Sequence, residues 1–81
     1  MSWTTEHGAL VRTFKTPDFL TAYNLVSAVV GPAQTLNHHP DITFGWGYVQ
    51  ISLTTHDAGG ITELDHQLAQ AIEIAIKPFN L

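Results

Sequence analysis

The sequence predicts an α+β fold: a two-layer sandwich in which a four-stranded antiparallel sheet carries two helices on one face, in the order ββαββα. Three observations predict it. Two pairs of short alternating runs are each joined across a glycine-containing turn. Two longer runs repeat apolar residues at spacings of three and four. Antiparallel hairpins combined with two amphipathic helices need one sheet face against which the helices can bury.

The first hairpin is read from "SWTTEHGALVRTFKT". Trp3, Thr4 and Thr5 are good strand formers, His7-Gly8 supplies the turn, and Gly8 tolerates positive φ. Leu10, Arg12 and Phe14 then point one way and Val11 and Thr13 the other, so both faces of this strand are expected to be partly covered or one to meet another subunit. "TPDF" predicts a helix start, with Thr16 as N-cap, Pro17 at the first helical position and Asp18 favouring the positive end of the dipole. Phe19, Tyr23, Val26, Val30 and Ala33 form the expected buried stripe. Gly31-Pro32 predicts a kink, or an end and restart, with the helix finishing near Asn37.

Asp41 to Gly47 alternates Ile42, Phe44 and Trp46 against smaller or polar residues, and Tyr48 to Thr54 alternates Val49, Ile51 and Leu53 against Gln50, Ser52 and Thr54. These are read as a second hairpin turning near Gly45 to Gly47, with Trp46 in the core or a pocket wall. "DAGG" is a loop. Thr62 caps the last helix, with Asp65 three residues on in the manner of a capping box. Leu64, Leu68, Ile72 and Ala75 form its stripe, and Lys77-Pro78 closes it.

Composition bounds the function. Residues 1–81 are read as one domain, which at this size buries only about 60–65% of the surface its unfolded chain exposes. A hydrophobic fraction of 44% supports a folded core, and with no cysteine there is neither a disulfide framework nor a thiolate metal cage. A small domain without such staples often gains stability by oligomerising. Three basic residues against seven acidic ones leave only Arg12, Lys15 and Lys77 to meet phosphates, which argues against direct nucleic-acid binding. The apolar runs are far short of the roughly 20 residues that span a bilayer, and the N-terminus has neither a basic start nor an apolar h-region. The chain reads as soluble and cytoplasmic, with no membrane partner.

Polar residues that can carry chemistry fall at element ends. His38 and His39 end the first helix, His56 follows the second hairpin, and Asp65 lies in the first turn of the last helix. Imidazole, with an ordinary pKa of about 6.5, gives or takes a proton near neutral pH. Two or three around one pocket let one act as acid and another as base, and a carboxylate such as Asp65 orients one of them. The plainer readings stand beside this: an exposed or structural His-His pair, Asp65 as a capping residue, His7 in a turn and His66 on a solvated helix face. Adjacent histidines point apart and no His-x-x-x-His pair occurs, so no metal centre is expected. Neither a G-x-S-x-G nucleophile motif nor a phosphate-cradling glycine loop is present.

"NHHPDI", then Trp46, then "TTHDAGGITELD" closely resemble the pterin-4a-carbinolamine dehydratases. His38-His39-Pro40, Trp46, His56 and Asp65 fall at that family's spacings, and "RTFKTPDF" is similar to its strand-to-helix junction. The resemblance implies dehydration of 4a-hydroxytetrahydropterin to quinonoid dihydropterin without metal or organic cofactor, in pterin recycling. It implies acid and base roles for His38 and His56 and binding of the pterin by His39. Asp65 would support His56 or the pterin ring, and Pro40, Thr55 and Asp57 would line the substrate. A homodimer or homotetramer is implied as well.

The resemblance sets two expectations of departure: Gln34 stands where the family usually has a charged residue, and no leading helix is expected before Trp3. The alternatives to the enzyme are a non-catalytic dimerisation module, of the kind that binds a homeodomain transcription factor in some animal members, and a pterin-binding accessory protein.

Overall fold

The computed structural model describes residues 3–81. Strands β1 (Thr4–Glu6) and β2 (Ala9–Lys15) precede helix α1 (Phe19–Leu36), and strands β3 (Asp41–Gly45) and β4 (Tyr48–Leu53) precede helix α2 (Glu63–Ala75). The sheet is antiparallel throughout, in the order β1-β2-β4-β3, so the two hairpins meet through β2 and β4. The predicted α+β order is the observed one.

Local chemistry explains the hairpins. Glu6 pairs with Ala9 across a two-residue turn in which His7 and Gly8 have φ of 50° and 78°. Two positive φ values are the type I′ pattern, whose twist matches that of the strands. The second turn, Trp46-Gly47, has no positive φ and is held from outside. The Thr16 N–H donates to the Gly47 carbonyl at 3.0 Å, and the Thr16 hydroxyl donates to the Trp46 carbonyl at 3.1 Å.

That clamp corrects the predicted helix start. Thr16 is buried and committed to the turn, so it is not the N-cap. Asp18 is, its carboxylate accepting from the Thr21 N–H at 2.7 Å. The buried face of α1 keeps Ala33 and, half-buried, Val26 of the expected stripe but not its other members. Ala22, Leu25, Val29 and Ala33 face the sheet, while Phe19, Tyr23 and Val30 are each more than half exposed. The helix carries two apolar stripes, and the sheet takes the one with an alanine at each end, where a small side chain permits close approach. Phe19 rests outside on the Phe44 ring, with centroids 5.5 Å apart. Nor does the helix end at Gly31-Pro32; it runs through Pro32 to Leu36. Trp46 belongs to neither core nor pocket wall: it sits on the turn, 68% exposed.

Alternation along the strands builds the core. Leu10 and Phe14 of β2 and Val49, Ile51 and Leu53 of β4 point to the helix side, where they meet Leu25 and Val29 of α1 and Leu68 and Ile72 of α2. Arg12, also on that side, lies 4.3 Å from the Phe14 ring centroid and pairs with Glu73 of α2, which also accepts from the Trp3 indole at 2.9 Å. The opposite sheet face is polar, with Thr13, Lys15, Thr43 and Gln50 exposed. No helix among the described residues is long and apolar enough to cross a membrane.

Candidate active site

The end of α1 positions the first histidine. Asn37 adopts the left-handed conformation, φ 49° and ψ 44°, and donates its N–H to Gln34, while the His38 N–H returns to the Ala33 carbonyl at 3.0 Å. This is a Schellman motif, and Asn tolerates its left-handed residue well. It folds the chain back so that His38 sits beneath the helix terminus, its side chain only 11% exposed.

There His38 meets α2. Its Nε2 lies 2.5 Å from Oδ1 of Asp65, a residue with no exposed surface. The other Asp65 oxygen accepts from the Thr62 N–H and from the Thr55 hydroxyl, both at 2.8 Å. Thr55 has one hydroxyl proton, which the carboxylate takes, so the Thr62 hydroxyl 2.8 Å away donates to Thr55. Burial by itself pushes the Asp65 carboxyl up; hydrogen bonds from His38, the Thr62 N–H and Thr55 outweigh it, and the carboxyl is held below its ordinary value of 3.8. Asp65 is therefore an anion, and His38 donates to it through Nε2–H. The capping interaction expected of Asp65 is present, but its imidazole partner is His38 and not His56, and its burial keeps it from touching anything in solvent.

His39 diverges from His38, as adjacent side chains on an extended segment do. It is exposed, and its Nε2 lies 2.7 Å from Oε1 of Gln34. His56 opens a short 3-10 turn, His56–Ala58, that ends at Gly59 with φ 75°. Thr55 and Gly60 close this loop by pairing their backbones. Thr55 is thereby turned inward toward Asp65 while His56 stays exposed.

His38, His39 and His56 all line one cleft of about 380 Å³, with Thr55, Asp57 and Leu64 among its other walls. Asp65 lies behind His38 rather than in the wall. Pro40 lies outside this cleft, in a smaller one of about 180 Å³ that abuts it at His39. A larger groove of about 640 Å³ runs between α1 and α2, past Pro32, Ala71 and Ile74, but has no ionisable side chain and offers no proton chemistry. Among the described residues, no three of His, Cys, Asp and Glu converge to hold a metal ion. Sequence reasoning missed the Thr62–Thr55–Asp65 chain and the contact of Gln34 with His39. The capping-box pattern signalled only the Thr62–Asp65 link of the first.

Comparison with known proteins agrees with the fold. The family described as pterin 4 alpha carbinolamine dehydratase matches residues 1–75. A Haloarcula marismortui protein is 47% identical over 70 residues, covering 86% of this chain and 76% of its own. A Nostoc punctiforme protein is 49% identical over 72 residues, covering 86% and 75%. Both carry pterin-4-alpha-carbinolamine dehydratase as a provisional name. The crystal structure of a Brucella melitensis protein described as a transcriptional coactivator/pterin dehydratase superposes with a TM-score of 0.83 at 32% identity, covering 91% of this chain and 81% of that one. A pterin dehydratase-like protein described as a RuBisCO assembly factor in the alpha-carboxysome shares the fold, with a TM-score of 0.72 at 22% identity over 93% of this chain and 89% of that one. A match over nearly the whole chain, together with relatives close to half identical, places this chain in the pterin 4 alpha carbinolamine dehydratase family.

Proposed function

We propose that this protein dehydrates 4a-hydroxytetrahydropterin to quinonoid dihydropterin by histidine acid/base catalysis, as a hydro-lyase of pterin recycling. The observation that carries the reading is the gathering of His38, His39 and His56 around one cleft, with His38 tied to a buried carboxylate. At about 380 Å³ the cleft is within the range of small-molecule sites, and a flat bicyclic pterin is a suitable guest.

The reaction needs two proton transfers. The C4a–O bond breaks and the departing hydroxide takes a proton to become water. The N5–H proton leaves to a base, and its electron pair forms the N5=C4a double bond. Asp65 accepts from His38 Nε2–H, which leaves Nδ1 as the ring nitrogen not engaged by the carboxylate and suits it to act as the base. His56, exposed at the mouth of the cleft, suits the acid, since it can recover its proton from water. His39, anchored by Gln34, grips the pterin. Thr55 and Asp57 offer loop groups to the heterocycle, and Pro40 borders it beyond His39. Asp65 positions His38.

A second reading, as a coactivator-type dimerisation module or a pterin-binding accessory protein in which the histidines do no chemistry, draws on the exposed aromatics Phe19, Tyr23, Trp46 and Tyr48. Phe19 and Tyr23 lie in the first turns of α1, about 20–26 Å of helix from its end beside the cleft, and Trp46 and Tyr48 lie at the β3–β4 turn. The same surface suits a homodimer or homotetramer, and we read the protein as cytoplasmic. The deciding experiment is stopped-flow dehydration of the 4a-carbinolamine by wild-type protein and His39→Ala. Acceleration by the wild type that is lost in the variant is expected. Decay at the uncatalysed rate with both would remove the enzyme reading, and partner binding that survives loss of all three histidines would favour the second.

A further inference from the structure

The dehydratase reading gives Thr55 only loop groups to offer the pterin, yet its side chain is engaged elsewhere. The Thr55 hydroxyl donates to Oδ2 of Asp65 at 2.8 Å and accepts from the Thr62 hydroxyl at 2.8 Å. Both threonines are half-buried, and Asp65 has no exposed surface. On the other side of the carboxylate, Oδ1 meets Nε2 of His38 at 2.5 Å. We propose that Thr55 is a positioning residue for the dehydration: acting through Asp65, its hydroxyl keeps His38 able to serve as a base near neutral pH. The proposal rests on the dehydratase reading, which gives His38 that role.

A carboxylate beside an imidazole favours its protonated form. With His38 as its sole strong partner, buried Asp65 would hold the ring as imidazolium, which has no lone pair to take the N5 proton. Neutral donors change that balance. Thr55 and the Thr62 N–H stabilise the anion without adding a charge, and both converge on Oδ2, the oxygen that His38 does not use. They lower the proton affinity of the carboxylate and so weaken its hold on a protonated His38. The Thr62 N–H is fixed by the start of α2. The Thr55 hydroxyl is the donor that a side chain controls. Thr62 strengthens it, because a hydroxyl that accepts one hydrogen bond donates the next more strongly.

The backbone holds Thr55 to this task. Its N–H donates to the Gly60 carbonyl at 2.9 Å across the His56–Ala58 turn, which directs the side chain inward. The other titratable groups that share the cleft with His38 are His39 on its own segment and His56 and Asp57 on that turn. Asp41 at the start of β3, and Glu63 and His66 in the first turn of α2, are exposed. Neither the last turn of α1 nor the end of β4 carries a charged side chain. Among the described residues, none of these titratable groups hydrogen-bonds to the Thr55 hydroxyl, so its removal acts on His38 through Asp65.

The pH profile of dehydration tests this. Wild type, Thr55→Val and Thr55→Ser are compared by stopped flow over about pH 5–8, the range in which imidazole changes charge. The rise of kcat/KM with pH is expected to move up by about half a pH unit in Thr55→Val, making it about threefold slower at the acid end. Thr55→Ser is expected to restore the wild-type position. Turnover that falls equally at every pH would report a purely structural role and overturn the proposal, as would a move to lower pH or none. Should Thr55→Val fail to fold, Thr55→Cys keeps a weaker donor and is expected to show a smaller move of the same sign; an unmoved profile there would also overturn it. Proton NMR of the His38 ring, recorded against pH with no pterin present, separates this inference from the reading beneath it. Absence of turnover by the wild type would sink the dehydratase reading. A ring titration that Thr55→Val leaves in place would sink the role of Thr55.

Discussion

Replacing Asp65 with asparagine is the most informative single perturbation, because one carboxylate serves the fold and the site together. Its Oδ2 accepts from the Thr62 N–H at the start of α2 and from the Thr55 hydroxyl, and its Oδ1 accepts from His38. Asparagine keeps the shape but has one acceptor oxygen. Whichever way the amide turns, its N–H₂ faces a donor: His38 on one side, or Thr55 and the Thr62 N–H on the other. Loss of one hydrogen bond to a charged group costs about 1.5–3 kcal/mol, and weakening of an N-terminal cap costs about 0.5–2 kcal/mol. We expect Asp65→Asn to lose about 2–5 kcal/mol. An 81-residue domain has a total of about 4–12 kcal/mol.

The sign of the pH dependence follows from the depressed carboxyl. A group whose folded-state pKa lies below its ordinary 3.8 contributes stability above that value and loses it as pH falls through the folded-state pKa. Urea unfolding followed by far-UV circular dichroism from pH 3 to 8 should show a gap between wild type and variant that is constant above about pH 5 and narrows in acid. The variant's kcat should fall about 10²-fold, the low end of what one positioned acid or base supplies. A variant as stable as the wild type, or a gap indifferent to acid, would refute the claim that an ionised Asp65 holds this corner together.

Two further outcomes follow from the same contacts. Thr55→Val removes one of the donors to Asp65 and strands the Thr62 hydroxyl; it should cost about 1.5–3 kcal/mol and bring on the acid loss of stability at higher pH than in the wild type, measured by the same urea series. Leu68→Ala opens a cavity at a fully buried core position and should cost about 2–5 kcal/mol in the urea midpoint while leaving turnover per folded molecule unchanged.

Features decided by neighbouring residues were legible in the sequence. The His7-Gly8 turn, the alternation of Val49, Ile51 and Leu53, the helix end at Asn37 and the Thr62–Asp65 cap each depend on a few consecutive residues, and each stands as read. What escaped was decided at a distance. Thr16 has the right chemistry for an N-cap, but the β3–β4 turn, thirty residues on, claims its N–H and hydroxyl and leaves the cap to Asp18. Phe19, Tyr23 and Val30 were misassigned to the buried face of α1, while Val26 and Ala33 were not, because apolar residues lie on both sides of the true stripe and periodicity alone cannot say which the sheet will accept. For the site, "NHHP" and "TTHD" with Asp65 marked the residues that gather near the cleft. The choice of His38 over His56 as partner of Asp65 spans 27 residues and depends on the Schellman turn at Asn37, and the divergence of Pro40 into a separate cleft depends on how β3 leaves that turn.

The division of labour between these residues decides how any mutational result should be interpreted. His39 and His56 are exposed. Exposed substitutions away from caps and buried networks usually change stability by less than about 0.5 kcal/mol, so a loss of turnover in either variant reports on the chemistry. His38 differs, because removing it leaves the Asp65 oxygen buried without one of its donors. A His38→Ala variant therefore mixes a lost base with a partly unsatisfied buried carboxylate, and its activity must be referred to the folded fraction at the assay pH. His38→Gln keeps a donor within reach of Asp65 while removing the titrating group. If Gln restores the stability that Ala loses and turnover stays absent, structural and proton-transfer roles coexist in this one side chain and have been separated.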